Sequence, residues 1–254
     1  MKISSLALLF LVSIFGSVLN GQAEGLLPMA KPEAVGLDPK KLEAVNKKME
    51  ALIEENRLTG GTVVIARKGK VAHFETYGLR NREEELPVKK DTIFRIYSMT
   101  KAITSMAALM LSEEEKLDLD DPLSKFFPPL KKMKVWKDGN LIDTEREATV
   151  ADLLRHTSGL TYGWMSSKPI REALRSAGVL DRNKKLVPMM NGMGEVPLQF
   201  QPGTDWVYGC STDVLGGVVE VASGMPFDKF LKERIFKPLK MKDTGFYVPA
   251  DKVK

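Results

Sequence analysis

Leu42, Val45, Met49, Leu52 and Ile53 recur at three- and four-residue intervals with Lys and Glu between them, which predicts an amphipathic helix over Leu37–Arg57. Gly60-Gly61 ends that pattern. Thr62-Val63-Val64-Ile65-Ala66 is a short apolar run rich in β-branched residues, and after Lys68-Gly69 the extended pattern resumes over Val71–Tyr77. Two such runs about a glycine turn predict a β-hairpin. Arg80–Lys90 is polar and reads as a loop. Thr92–Tyr97 then leads into the most apolar helix that the pattern predicts, Ser98–Leu111, with Met99, Ala102, Ile103, Met106, Ala107 and Met110 as its expected buried face.

Further along, Asp120-Asp121-Pro122 starts a short element that Pro128-Pro129 closes. Thr149–Arg155 reads as a short helix with a Thr cap and Asp152 in its first turn, followed by a turn over His156–Gly163. Trp164–Phe200 carries weak signals, enough for one or two short helices. Asp213–Ala222 and Pro226–Phe236 are apolar and helical. The pattern thus gives one hairpin and many helices. A lone two-stranded hairpin is marginal in water and leaves unpaired edges, so either helices cover it or further strands belong beside it.

Composition changes this picture little. With 254 residues, 43% hydrophobic and 28% charged, the chain has the make-up of an ordinary globular domain. The exception is the N-terminus, where Lys2 precedes an apolar run from Leu6 to Leu19, with Gly21 and Ala23 spaced as at a signal-peptidase site. Met1–Ala23 therefore reads as a cleaved secretory signal, with an uncleaved anchor as the alternative. The expected location is periplasmic or secreted, with no membrane span after signal removal. The formal net charge of +5 is spread over mixed-sign runs without interleaved aromatics, which argues against nucleic-acid binding. One cysteine, Cys210, rules out an internal disulfide, and two isolated histidines form no metal-ligand cluster.

Ser98-Met99-Thr100-Lys101 is the first candidate for chemistry. Residues three apart on a helix share a face, so a serine at the helix start meets a lysine one turn later. Unpaired N–H groups at that end favour an anion and disfavour an ammonium, and a neutral lysine can take the serine proton. A Ser-x-x-Lys spacing arises by chance about once in a chain of this size; its place at the head of an apolar helix sets this one apart. Tyr208 is the second candidate. It lies in a loop after Pro202-Gly203, where its phenol serves as a proton relay or packs as a rim aromatic. His156 is the third, but no Gly-x-Ser-x-Gly elbow accompanies it, and beside Thr157-Ser158-Gly159 it suits a hydrogen-bonding turn better than a triad.

Ser98–Lys101 within Phe94–Lys101, then Leu117–Pro122, Leu153–Leu160, Pro202-Gly203 with Tyr208, Thr212–Gly216 and Asp243–Phe246, resemble class C β-lactamases and family VIII carboxylesterases in both content and order. The resemblance runs from about Pro32 to Tyr247. It implies an α+β fold of the β-lactamase/DD-peptidase type, an antiparallel sheet flanked by helices with a helical subdomain beside it. Residues 24–254 would form that domain, with the N-terminal helix and hairpin in 24–97 and the mostly helical part in 98–240. Ser98 would be acylated and Lys101 would activate it. Tyr208 would pass protons to the leaving group and from the deacylating water, and the Ser98 N–H would supply half of an oxyanion hole.

Two departures qualify this resemblance. Cys210 stands where penicillin-interacting members carry asparagine, which suits the esterase-like branch. The family's further strands, its third motif (Lys-Thr-Gly or a His-x-Gly variant) and a C-terminal helix find no counterpart before Lys254, so the sheet is expected to be incomplete. The resulting expectation is a serine hydrolase acting on a small-molecule ester or related acyl compound through an acyl-enzyme, without a cofactor. A β-lactamase or D-amino-acid peptidase, and a non-catalytic binding or sensor protein on the same scaffold, are the alternatives. The sequence carries no signal of oligomeric state.

Overall fold

A computed structural model describes residues 27–179, 181 and 183–253, so the leader expected over Met1–Ala23 lies outside the described residues. The chain forms two compact units, divided between Arg95 and Ile96.

In the first unit, helix α1 spans Pro39–Glu54. Asp38 caps it, its carboxylate accepting from the Lys40 N–H at 2.9 Å. The apolar stripe read from the sequence is its inward face: Leu42 is buried, and Val45, Met49, Leu52 and Ile53 are partly so. Strands β1 (Gly60–Arg67) and β2 (Lys70–Asn81) form the expected antiparallel hairpin, with Lys68 and Gly69 both at positive φ in its turn. The polar stretch read as a loop contains a two-residue strand, β3 (Leu86–Pro87), which pairs with β2. It is too short to show a period of two. Among the described residues of this unit the sheet is therefore three-stranded, in the order β1-β2-β3.

The second unit is mainly helical. A 3-10 turn over Tyr97–Met99 runs into α2 (Thr100–Glu113). Ser98 thus lies in the tighter turn ahead of the α-helix rather than at the α-helix's own start. The buried face of α2 matches the expected one only in part, at Ala107 and, partly buried, at Ile103 and Met110. Thr104, Ala107, Ala108 and Leu111 are buried, whereas Met99 and Met106 are exposed. An apolar helix with few polar positions gives no period from which to choose the packed face. Here the small side chains Ala107 and Ala108 turn inward, where they permit close approach to a neighbouring helix.

That neighbour is α6 (Ser211–Ser223), whose Val214, Leu215, Val218 and Val219 are wholly buried. Burial of each such large side chain is worth roughly 1.5–3 kcal/mol. Strands β4 (Lys134–Lys137) and β5 (Asn140–Asp143) form a second hairpin that the sequence reading passes over. Its signal is Asp138-Gly139, two residues at positive φ between runs containing Val, Trp, Leu and Ile. Helix α3 covers Val150–Arg155, and the weakly patterned stretch after it holds two short helices, α4 (Lys168–Ser176) and α5 (Leu186–Gly192). Helix α7 (Phe227–Leu231) continues as a wider π-turn over Lys232–Phe236. Phe127, Leu111, Leu153, Leu160, Leu215 and Phe230 fill the core between these elements.

Candidate active site

Three segments of the second unit converge on Ser98. The first carries the serine itself. Tyr97 takes a left-handed φ of 43°, a conformation that costs a residue with a Cβ about 1–2 kcal/mol. This step turns the chain into the 3-10 turn and leaves Ser98 exposed. Lys101 follows in the first turn of α2, and its Nζ lies 3.4 Å from Ser98 Oγ.

The second segment is the turn after α3. Thr149 and Asp152 form a reciprocal cap at the start of that helix: the Asp152 N–H donates to Thr149 Oγ1 and the Thr149 N–H to Asp152 Oδ2. The same carboxylate, wholly buried, accepts from Arg146 at 2.6 and 3.1 Å and from the Thr157 hydroxyl at 2.8 Å. Asp152 therefore fixes the helix start and the turn beyond its end. His156 closes α3 in a left-handed conformation, φ 58°.

The third segment carries Tyr208, and the turn holds it in place. The Gly203 N–H donates to the Thr157 carbonyl at 2.8 Å and the Val207 N–H to that of His156 at 3.1 Å. The His156 ring stacks on Tyr208 with centroids 5.2 Å apart. Gly209 lies flat against the preceding turn, and a Cβ there would come within 2.3 Å of the Leu160 carbonyl oxygen and 2.5 Å of Thr161 Cα. Both obstacles are backbone. Gly209→Ala is therefore expected to push the Tyr208 loop off the turn, lowering Tm by several degrees together with any turnover that depends on Tyr208. Paired melting and rate measurements check this.

The outcome of this packing is that Tyr208 Oη sits 2.7 Å from Ser98 Oγ, and Lys101 Nζ lies 4.7 Å from the centre of the Tyr208 ring. Ser98, Lys101 and Tyr208 are thus brought to one point. Lys101, and after it the Ser98 hydroxyl, hold the Tyr208 phenol below its ordinary pKa. Burial, then the Lys101 charge, lowers the pKa of His156. Its Nδ1 is buried without a hydrogen-bond partner, and its ring backs Tyr208. Cys210 is buried, its Sγ donating to the Thr161 carbonyl at 3.4 Å, and burial raises its thiol pKa well above the usual value. A thiol in that environment packs as a small apolar residue and is a poor nucleophile.

Ser98 and Lys101 open on a cleft of about 420 Å³. Its apolar wall is Leu186, Gly216, Phe227 and Phe246, the two Phe rings 5.7 Å apart. Among the polar residues that also line it are Tyr162 and Asp213, to neither of which the sequence reading gave a role. Tyr162 stacks on Trp164 at 4.5 Å and donates to Asp213 Oδ2 at 3.1 Å. The available signal for Asp213 was a carboxylate heading an otherwise apolar helix. Tyr162 lay in a stretch read only as a turn.

A family model described as Beta-lactamase matches residues 45–254. The chain is 34% identical over 219 residues to esterase EstB of Burkholderia gladioli, covering 85% of this chain and 54% of that protein. Among solved structures, EstCE1, described as a hydrolase with promiscuous acyltransferase activity, superposes with a TM-score of 0.72 at 28% identity, covering 84% of this chain and 54% of that one. The octameric penicillin-binding protein homologue from Pyrococcus abyssi superposes with a TM-score of 0.62 at 28% identity, covering 83% and 45%. The chain spans about half the length of the relatives it matches. The neighbours establish the expected fold class, that of β-lactamases and penicillin-binding proteins, with helices and antiparallel strands.

Proposed function

The chain belongs to the Beta-lactamase family, and from that premise we propose that it is a serine hydrolase which forms an acyl-enzyme on an ester or related acyl substrate. One observation carries the reading: the Ser98 hydroxyl lies within hydrogen-bonding reach of both the Tyr208 phenol and the Lys101 amine. Ser98 Oγ attacks the acyl carbon, and its proton passes to Lys101. Tyr208, 2.7 Å from Ser98 Oγ, relays a proton to the departing alkoxide as the bond from carbon to the leaving oxygen breaks. The Ser98 N–H supports the oxyanion. Water then attacks the ester on Ser98 and gives its proton to the same pair; the acid leaves and the serine hydroxyl is restored.

The esterase reading draws on Cys210 in the place of the family's amide-binding asparagine and on the likeness to EstB. Acyl transfer, in which an alcohol replaces water in the second step, is the second reading. The exposure of Ser98 and the activity named for EstCE1 favour it.

A fluorophosphonate probe tests the proposal directly. It is expected to phosphonylate Ser98, with the adduct located by peptide mass spectrometry. A protein left unlabelled, or labelled only elsewhere, overturns the reading.

A further inference from the structure

The cleft on which Ser98 and Lys101 open has an apolar wall that the steps above leave unused: Leu186 at the start of α5, Gly216 on α6, Phe227 at the start of α7, and Phe246. Three contacts set Phe227. Its backbone N–H, at the first position of α7, donates to Glu220 Oε2 at 2.9 Å, so that carboxylate satisfies one of the unpaired donors of the helix start. Gly216 lies one turn before Glu220 on the same face of α6. A Cβ at Gly216 would stand 3.3 Å from Phe227 Cε1 and 3.5 Å from its Cδ1 and Cζ. The ring thus fills the space that a side chain would take, which accounts for a poor helix former inside α6. Phe246 covers the ring at 5.7 Å with the planes tilted by 51°.

Polar groups that line the same cleft are bonded within the protein. The Thr104 hydroxyl donates to the Thr100 carbonyl at 3.1 Å, and the Tyr162 hydroxyl donates to Asp213. An occupant therefore gains most from apolar contact with the wall. A volume of about 420 Å³ lies in the lower part of the range for small-ligand clefts, roughly 300–1,000 Å³, and suits a hydrocarbon chain of modest length. The chemistry fixes which part of an ester enters it. Tyr208, which serves the leaving oxygen, lies outside the lining residues, whereas Ser98 is one of them. The alcohol then sits on the Tyr208 side of Ser98, and the acyl chain runs from Ser98 Oγ into the cleft.

We propose that this cleft is the acyl pocket, that it takes straight hydrocarbon acyl chains of middle length, and that Phe227 is the specificity-determining residue that sets the longest chain admitted. Gly216, Glu220 and Phe246 hold its ring in place. The inference rests on the serine-hydrolase reading, since it needs an acyl group on Ser98. Each methylene buried against the wall should raise acylation by roughly fourfold until the chain meets the ring. A chain that no longer fits should lose at least about tenfold.

The test is the rate of nitrophenol release from 4-nitrophenyl acetate, butanoate, hexanoate, octanoate and decanoate by the wild-type protein, Phe227→Ala and Gly216→Ala. The leaving group is constant, so only the acyl chain varies. Phe227→Ala removes the ring, and the preference for decanoate over butanoate is expected to rise by about tenfold or more. Gly216→Ala places a methyl against the ring and in the cleft, and the same ratio is expected to fall. Opposite shifts from two neighbouring positions are a result that a merely structural role would not give, because loss of folded protein slows every ester by one factor. Ratios that stay at the wild-type value in both variants, or a wild-type protein indifferent to chain length, overturn this inference while the Ser98 reading stands. A wild-type protein that releases no nitrophenol from any ester and takes no fluorophosphonate overturns both; one that is labelled at Ser98 yet releases none overturns the acyl pocket alone. If one variant fails to fold, judged by its melt, the other decides.

Discussion

Ser98→Ala is expected to lower the turnover of a short-chain nitrophenyl ester by about 10⁴–10⁶-fold, to the level of uncatalysed hydrolysis plus whatever binding alone contributes. The size of the loss follows from the geometry. The Ser98 hydroxyl is the atom on which Tyr208 at 2.7 Å and Lys101 at 3.4 Å both converge. Without it neither has an oxygen to serve, and the acyl group has no acceptor. Lys101→Met or Tyr208→Phe should cost less, about 10²–10⁴-fold each, the usual contribution of one positioned proton carrier. Because the residues act as a unit, double variants should be no worse than Ser98→Ala. Steady-state rates on the purified variants, with melting curves to exclude unfolding, give the result; an Ser98→Ala protein that keeps its esterolysis would place the nucleophile elsewhere.

The second large effect concerns stability. Asp152→Ala is expected to destabilise the second unit by about 3 kcal/mol. Breaking a buried pair costs roughly 3–5 kcal/mol, and the lower end applies because Arg146 is about half exposed, 45% against 0% for Asp152. A substitution there removes the helix cap, takes the carboxylate from Arg146, which keeps only the Glu147 carbonyl, and leaves the Thr149 N–H without its acceptor. For a domain of this size the loss should appear as a fall in Tm of about 6–12 °C.

The pH dependence of that stability has a definite sign. Burial pushes the Asp152 carboxyl up, but Arg146, the Thr149 N–H and the Thr157 hydroxyl outweigh it, and the net shift is downward. A depressed folded-state value means that the stabilisation is fully present above the ordinary aspartate value of about 4 and is lost as pH falls through the lower folded value. Wild type and Asp152→Ala should therefore differ most near neutrality and converge in acid. Equal melting temperatures at pH 7 would show that the cap and ion pair contribute nothing.

These results also mark what could be read from the sequence. The face of α1, the first hairpin and the cap at Thr149 were legible because each has a local cause: a 3.6-residue period, a Lys68-Gly69 turn, and a Thr followed three residues later by an acid. The contact between Ser98 and Lys101 was legible for the same reason. Tyr208 is 110 residues from Ser98, so local pattern offered it only as a loop tyrosine, relay or rim aromatic, and resemblance was needed to pair it with Ser98. The buried side of α2 was only partly assigned, Ala107 rightly and Ile103 and Met110 at its margin, because that helix is apolar nearly all round, and only the partner helix α6 selects Ala108 and Leu111 over Met99 and Met106. Asp213, though within the quoted stretch Thr212–Gly216, and Tyr162 were given no role because their meaning lies in a side-chain contact 51 residues apart. The hairpin β4–β5 is different, since Asp138-Gly139 was a sufficient local signal that a run of neighbouring lysines obscured.

Cys210 gives the chain a property independent of its chemistry. It is the single thiol in the sequence, buried and bonded to the Thr161 carbonyl. An alkylating reagent reaches it when the packing between the head of α6 and the turn after α3 opens, locally or by global unfolding. The gain of one alkyl group therefore counts such openings, and the protein carries a native reporter of breathing beside its own nucleophile.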